Sequence, residues 1–293
     1  MTKSTKGYIL GAIAAVSYGT NPLFAVPLYE AGMDVSSVLF YRYIFAALIL
    51  GCIMLLRGES MRLARRDIPL MALLGIFFAL SSVLLFEAYN YMDVGLASTL
   101  LFVEPVFIAL ILWIFFRERI SLWTIISIAI CLAGVVFLCN PGPGAHVTAL
   151  GVTLVILSSL AYALYMVIIN KSRIGKLHGS TITFYSLLFG MIVFAARTQF
   201  FTQVQPVPSG LIPWACIVGI SIVPTIVSLM TVAISIRYIG SVAVSILGAL
   251  EPITGVMFGV LLFGEILTVR ASIGIVLIIC AVMTLVLTKK KTD

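Results

Sequence analysis

Long apolar runs separated by brief polar interruptions dominate the chain. A helix crossing the hydrocarbon of a bilayer needs roughly 17–25 mainly apolar residues. Ten runs of about that size can be marked: Gly7–Tyr29, Ser36–Leu56, Ile68–Tyr91, Val94–Phe116, Ser121–Asn140, Ala149–Asn170, Ser180–Ala196, Leu211–Ile236, Ser241–Phe263 and Thr268–Thr288. Gly, Pro and charged residues punctuate the short connections, as in Arg57-Gly58-Glu59 and Pro141-Gly142-Pro143-Gly144. The pattern predicts an all-α membrane protein of ten transmembrane helices. Its first run, behind Lys3 and Lys6, is too long for a signal-peptide core and no convincing cleavage site follows it, so it is read as the first membrane helix.

The runs repeat. At an offset of 144, Gly7 matches Gly151, Tyr18 matches Tyr162, and Ser36, Phe40, Tyr41 and Phe45 match Ser180, Phe184, Tyr185 and Phe189. Ile68-Pro69 matches Ile212-Pro213, and Gly75 matches Gly219. Beyond about Glu87 the offset becomes 147, and Tyr91, Ser98, Leu100, Glu104-Pro105, Phe116 and Glu118 match Tyr238, Ser245, Leu247, Glu251-Pro252, Phe263 and Glu265. Aligned Leu or Ile prove little in an apolar chain, whereas Glu-Pro inside a span is rare. Two copies in register indicate a duplication, with repeats over residues 1–140 and 141–293. Five spans per repeat is odd, so the second repeat enters the membrane from the opposite side. Inverted repeats of this kind are an architecture of secondary transporters.

Composition agrees. Hydrophobic residues make up 62% of the chain and charged residues 10%, against about 45–50% apolar in an average soluble domain. The net charge of +7 does not point to nucleic acid, because no basic stripe is interleaved with aromatics. With both termini in the cytoplasm, fifteen of the eighteen Lys and Arg fall on the cytoplasmic side; only Arg197 and Arg270 lie outside, and Arg42 lies within the membrane. That split fixes the expected orientation. The five cysteines form no CxxC pair and read as packing residues.

The chain also resembles a known family. Ala97-Ser98-Thr99-Leu100-Leu101-Phe102-Val103-Glu104-Pro105, running to Phe116-Arg117-Glu118, is similar to the signature of EamA-type members of the drug/metabolite transporter superfamily. A second copy runs from Val244-Ser245-Ile246-Leu247 through Glu251-Pro252 to Phe263-Gly264-Glu265. The resemblance covers essentially the whole chain. It implies a ten-helix carrier of the bacterial cytoplasmic membrane with a central cavity, similar to exporters of aromatic and other amino acids. No cofactor or metal is implied; the partners are a small-molecule substrate and the lipid bilayer. Monomer and homodimer stay open.

The ionisable residues inside spans are Arg42, Glu87, Glu104 and Glu251. Each costs about 2.5–3.5 kcal/mol at a helix centre on insertion scales, so each should face a cavity or a partner. Glu104 and Glu251 are expected near the middle of their helices. Pro105 and Pro252 remove donors that would have bonded the carbonyls of Leu101 and Gly248, which opens each helix locally. Two roles stay open for the pair: hinges or proton-sensitive gates, or carboxyls bonded locally to fix a bend. Arg42 and Glu87 break the repeat; they either pair with each other or recognise a substrate, Arg42 a carboxylate and Glu87 an ammonium. Asn21-Pro22 breaks the first helix, and Pro224, between Ser221 and Thr225, interrupts the eighth. Broken helices at mid-depth point to transport sites. Tyr18, Tyr162 and Tyr165, with Tyr41 and Tyr185, are candidates to line a cavity and stack on a substrate ring. The Gly255-xxx-Gly259 pair is expected in close helix packing within the bundle, with a dimer seam as the other reading.

Other classes fare worse. There is no HExxH, GxSxG or GxxxxGK[ST] motif, and both histidines, His146 and His178, lie in loops. An enzyme or an ATP-driven pump is therefore not expected. A channel would carry a polar filter or symmetric subunits. Within transporters, an importer or exchanger of another charged or heteroaromatic metabolite is the alternative to an exporter.

Overall fold

A computed structural model describes residues 2–59, 61–88, 90–92, 97, 100–138, 148–197, 199, 202–263 and 268–289. Several expectations fall outside them: Ser98 and Thr99, Cys139 and the Pro141–Gly144 connection, His146, Gly264-Glu265, and Lys290 and Lys291. The described chain is all-α. Its helices are α1 (Lys3–Tyr18), α2 (Asn21–Glu30), α3 (Val35–Leu56), α4 (Ile68–Ala88), α5 (Glu104–Phe116), α6 (Leu122–Leu138), α7 (Ala149–Lys171), α8 (Gly179–Arg197), α9 (Leu211–Ser221), α10 (Ser228–Ile239), α11 (Ser241–Gly248), α12 (Leu250–Phe263) and α13 (Val269–Lys289). A π-helical segment, Ile222–Val227, joins α9 to α10.

Local chemistry sets the ends. Thr2, Asp34 and Thr148 each accept a hydrogen bond from an amide in the first turn of the helix they precede, the usual service of a short polar N-cap. Arg117 closes α5 in the left-handed conformation, with φ 54°. The breaks inside spans follow from proline and its neighbours. α1 stops at a turn over Gly19 and Thr20, and α2 restarts with Pro22 in its first turn, where a missing N–H costs nothing.

Among the described residues, six helical runs are long and apolar enough to cross a membrane: Lys3–Glu30, Val35–Leu56, Arg65–Ala88, Ala149–Lys171, Gly179–Arg197 and Leu211–Ile239. Shorter apolar helices cover Glu104–Phe116, Leu122–Phe137, Ser241–Gly255 and Val269–Leu285. Large apolar side chains stand on the outside, among them Leu48, Phe115, Leu211 and Leu261. An exposed apolar surface this extensive belongs against lipid. The protein is a multi-pass membrane protein.

The most extensive helix pairings join the two halves of the sequence. α1 packs on α10 and α4 on α7; α4 packs on α8 and α3 on α9; α5 packs on α7 and α1 on α11 and α12; α3 meets α8 and α6 meets α13. Exchanging the halves turns the members of each of the first three couples into one another and leaves the last two pairings unchanged. Equivalent glycines make equivalent contacts. A Cβ on Gly7 would meet Ile239, and one on Gly151 would meet Met92, which is the repeat partner of Ile239. A Cβ on Gly75 would lie 2.7 Å from the carbonyl oxygen of Ser186, so α4 and α8 touch backbone to backbone there. Gly255 differs from expectation: among the described residues a Cβ there would meet nothing within 4 Å, so no close helix contact is seen there, and the surroundings of Gly259 lie outside the described side chains.

Charged residues tie the helix ends together. At one end Arg197 pairs with Glu87 and its Nε donates to Ser36 Oγ at 3.2 Å, while Gln205 accepts from the Asp34 amide at 2.7 Å. At the other, Arg173 pairs with Asp67, Lys171 pairs with Glu118, and Ser180 Oγ donates to Glu59 at 2.5 Å.

Candidate functional site

A cavity of about 320 Å³ lies where the halves meet. Residues of α1 to α5 and the turn before α5 line one side; residues of α7, α9, α10, α11 and α12 line the other, and neither α6, α8 nor α13 contributes. Of the residues singled out in the sequence, Tyr18, Asn21, Arg42, Tyr162, Glu104 and Glu251 all face this space. The fold thus gathers six positions spread over more than two hundred residues.

Arg42 is 2% exposed. Its Nε donates to Thr225 Oγ1 at 2.6 Å and its Nη2 to the carbonyl of Pro224 at 3.4 Å. The Thr225 hydroxyl in turn donates to the Ile220 carbonyl five residues back, at 2.7 Å, and Ser221 Oγ donates to the Arg42 carbonyl at 3.3 Å and to the Ile217 carbonyl at 2.7 Å. The clamp sits on the π-helical turn. Pro224 has no N–H to give a regular α-ladder, the turn widens, and a guanidinium fills the polar need that results. The guanidinium carbon also lies 5.4 Å from the centre of the Tyr18 ring, within range of a cation–π contact. Pro224 therefore does interrupt its span, and its neighbour Thr225 is the residue that engages Arg42.

Arg42 and Glu87 do not pair with each other. Glu87, near the C-terminal end of α4, holds Arg197 and accepts from Asn90 Nδ2 at 3.4 Å, and it does not line the cavity. Sequence distance along α3 and α4 suggested a pairing; Arg197, placed outside by the charge count, reaches Glu87 first.

Glu104 and Glu251 do not lie mid-helix. Helical residues Leu100 and Leu101 give way to a turn at Phe102 and Val103, and α5 begins at Glu104; α11 ends at Gly248, and α12 begins one residue before Glu251. Both Glu-Pro pairs thus open new helices. Proline is tolerated in a first turn, and a carboxylate there meets the positive end of the helix dipole. The freed Leu101 carbonyl accepts from Ser159 Oγ at 3.1 Å. Among the described residues, Glu104 Oε1 is buried with no hydrogen-bond partner, and so is Asn21 Oδ1.

The tyrosines divide. Tyr18 and Tyr162 line the cavity, while Tyr165 is fully buried behind Tyr162, the two rings stacked at 5.6 Å with 13° between planes. Tyr41 packs on Phe40 and Phe45, and Tyr185 donates its hydroxyl to the Met61 carbonyl at 2.5 Å; neither lines the cavity. Tyr29, Ser81, Ser82 and Ser228 line it without having been singled out in the sequence. The serines had a signal: hydroxyls deep in apolar runs. Ser81 and Ser158 show its other meaning, since Ser158 Oγ donates to the Ser81 carbonyl at 2.7 Å and glues α7 to α4.

The shape of this site and the paired halves match what sequence comparison finds. The model of the EamA-like transporter family matches twice, over residues 5–140 and 149–287. The chain belongs to the EamA-like transporter family. It is a membrane transporter of the drug/metabolite transporter superfamily, not an enzyme. Among the described residues no cluster of three or more His, Cys, Asp or Glu is placed to hold a metal. Similar proteins include an uncharacterized transporter of Archaeoglobus fulgidus, 29% identical, with 92% of this chain aligned to 93% of the relative. Another, from Clostridium kluyveri, is 27% identical over 94% of this chain and 91% of its own length. The uncharacterized transporter YxxF of Bacillus subtilis is 25% identical over 97% and 87% respectively. A solved crystal structure aligns over 99% of both chains with a TM-score of 0.81 at 16% identity, which shows a shared fold.

Proposed function

We propose that this EamA-family chain is a secondary transporter that moves small metabolites across the cytoplasmic membrane of a bacterium by alternating access, with amino acids or aromatic metabolites exported. In this reading ten spans form two inverted five-helix repeats, over 1–140 and 141–293, with both termini cytoplasmic. The two successive matches to one family model support it, and so do helix pairings that survive exchange of the halves. Inverted halves make inward-open and outward-open states close in energy, because each state is the other with the halves swapped.

One observation carries the reading. The central cavity takes its walls from both halves and holds both Glu-Pro glutamates together with the repeat-breaking Arg42. Relative motion of the halves then changes access to a polar site without unfolding any helix. In this reading Glu104 and Glu251, in first turns beside helix breaks, act as gates, and Tyr18 and Tyr162 offer ring faces to an aromatic body.

Purified protein in liposomes preloaded with single amino acids tests this. Saturable uptake of labelled solute, accelerated by unlabelled solute on the far side, is the expected counterflow. Linear, non-saturating flux with no acceleration would instead mark a channel.

A further inference from the structure

Among its ionisable groups the cavity has more acceptors than donors. Its lining carries two carboxylates, Glu104 and Glu251, against one guanidinium, and that guanidinium already serves Thr225 and the Pro224 carbonyl. Glu104 Oε1 and Asn21 Oδ1 are buried without a partner among the described residues. A buried acceptor left unpaired costs about 1–3 kcal/mol, more when charged, so a donor that enters the cavity recovers that penalty. A second carboxyl in a membrane interior either pairs with a positive charge or keeps its proton, and a protonated amine that enters can supply that charge. What the cavity lacks is therefore a cation that donates hydrogen bonds, next to apolar ring surface from Phe78, Phe86 and Tyr162.

We infer that Glu104, assisted by Asn21, receives the protonated amine of the substrate, and that a substrate carboxylate is dispensable. The inference rests on the transport reading above and narrows its substrate to amines bearing an apolar or aromatic body. It moves the ammonium site away from Glu87, which is held by Arg197 and stands off the cavity. It also makes Arg42 a positioning residue, which shapes the π-helical turn rather than binding an anion.

The test uses the full chain in detergent with dicyclohexylcarbodiimide, an apolar reagent that adds to buried carboxylic acids, read by mass spectrometry of the peptide carrying Glu104. Three probes are compared: phenethylamine, 3-phenylpropionate and phenylalanine. Phenethylamine and phenylalanine are expected to abolish labelling at Glu104, and 3-phenylpropionate to leave it unchanged. The melting temperature gives a second reading: phenethylamine raises it in the wild type and in Glu87→Gln, and not in Glu104→Gln. The inference is overturned if 3-phenylpropionate protects as well as phenethylamine, if the amine neither protects nor raises the melting temperature, or if Glu87→Gln loses the shift. Counterflow that persists after such a result leaves transport standing and removes only the amine site. Protection at Glu104 without counterflow of any solute removes the transport reading and leaves the amine site.

Discussion

Gly75→Ala adds one methyl where α4 and α8 already touch. The new carbon would sit 2.7 Å from the Ser186 carbonyl oxygen, 2.8 Å from Phe189 Cβ and 3.0 Å from the Gly190 amide nitrogen. Two of those atoms are backbone and the third is the first carbon of its side chain, so no rotamer change clears them. Ordinary contact begins near 3.4 Å, so the helices must part by about 0.7 Å (3.4 minus 2.7). Overpacking of this kind costs about 1–3 kcal/mol. The gain in helix propensity from Gly to Ala offsets up to about 1 kcal/mol of it. A net loss of about 1–2 kcal/mol lowers the melting temperature by a few degrees, at roughly 2 °C per kcal/mol for a large chain. Gly255→Ala is the control, because its methyl meets none of the described residues within 4 Å and only the propensity gain applies. Thermal unfolding of both variants in one detergent, followed as the folded fraction on size exclusion, decides it. A Gly75→Ala protein as stable as the wild type, or an equal fall in both variants, would refute the close approach of α4 and α8.

Further variants probe other contacts. Thr225→Val keeps the shape but removes the acceptor of a buried, charge-assisted hydrogen bond, and should cost about 1.5–3 kcal/mol in the same unfolding assay; a loss indistinguishable from zero would contradict the Arg42 clamp. Glu87→Gln breaks an ion pair whose side chains are 39% and 30% exposed; pairs that wet are worth about 0–1 kcal/mol, so its melting temperature and its counterflow should stay near wild type. Ser159→Ala strips the donor from the Leu101 carbonyl and should cost about 1 kcal/mol, against no change at the lipid-facing Leu157→Ala beyond lost surface. Single cysteines at Lys176 and Gln203, in a protein with its native cysteines replaced, should react with an impermeant maleimide from opposite faces of intact cells; labelling of both from one face would break the proposed orientation.

Six of the ten expected spans appear as helical runs long and apolar enough to cross a membrane, and two of the breaks, at Asn21-Pro22 and at Pro224, were legible, because apolar run length and intramembrane proline are local signals. Where each break falls was less so. Proline removes a donor at its own position, yet the helix stops before Glu104 and before Leu250, since the ring also clashes with the preceding turn and a first-turn proline avoids both penalties. That Asn21, Arg42, Glu104, Glu251 and two tyrosines share one space was suggested by their rarity inside spans. Their partners were not legible. Arg42 meets Thr225 across 183 residues, and Arg197 takes Glu87 across 110, contacts that only the interleaving of the halves creates. Tyr165 illustrates the remaining gap: equal in type to Tyr162 and three residues away on the same helix face, it stacks on the Tyr162 ring and backs it instead of lining the cavity.

The seam between α6 and α13 stands apart from the cavity, and a Cβ on Gly134 would come within 3.0 Å of the Gly274 carbonyl and the Ile278 amide. One of these helices comes from each half, so in the proposed alternating-access reading the seam would serve as the pin of a door, holding the halves together while they swing. Displacement then grows with distance from the pin, and the largest travel falls to the far walls, where small angular changes suffice to admit or expel a solute. A bulky side chain at Gly134 would jam the swing without touching any residue that meets the cargo.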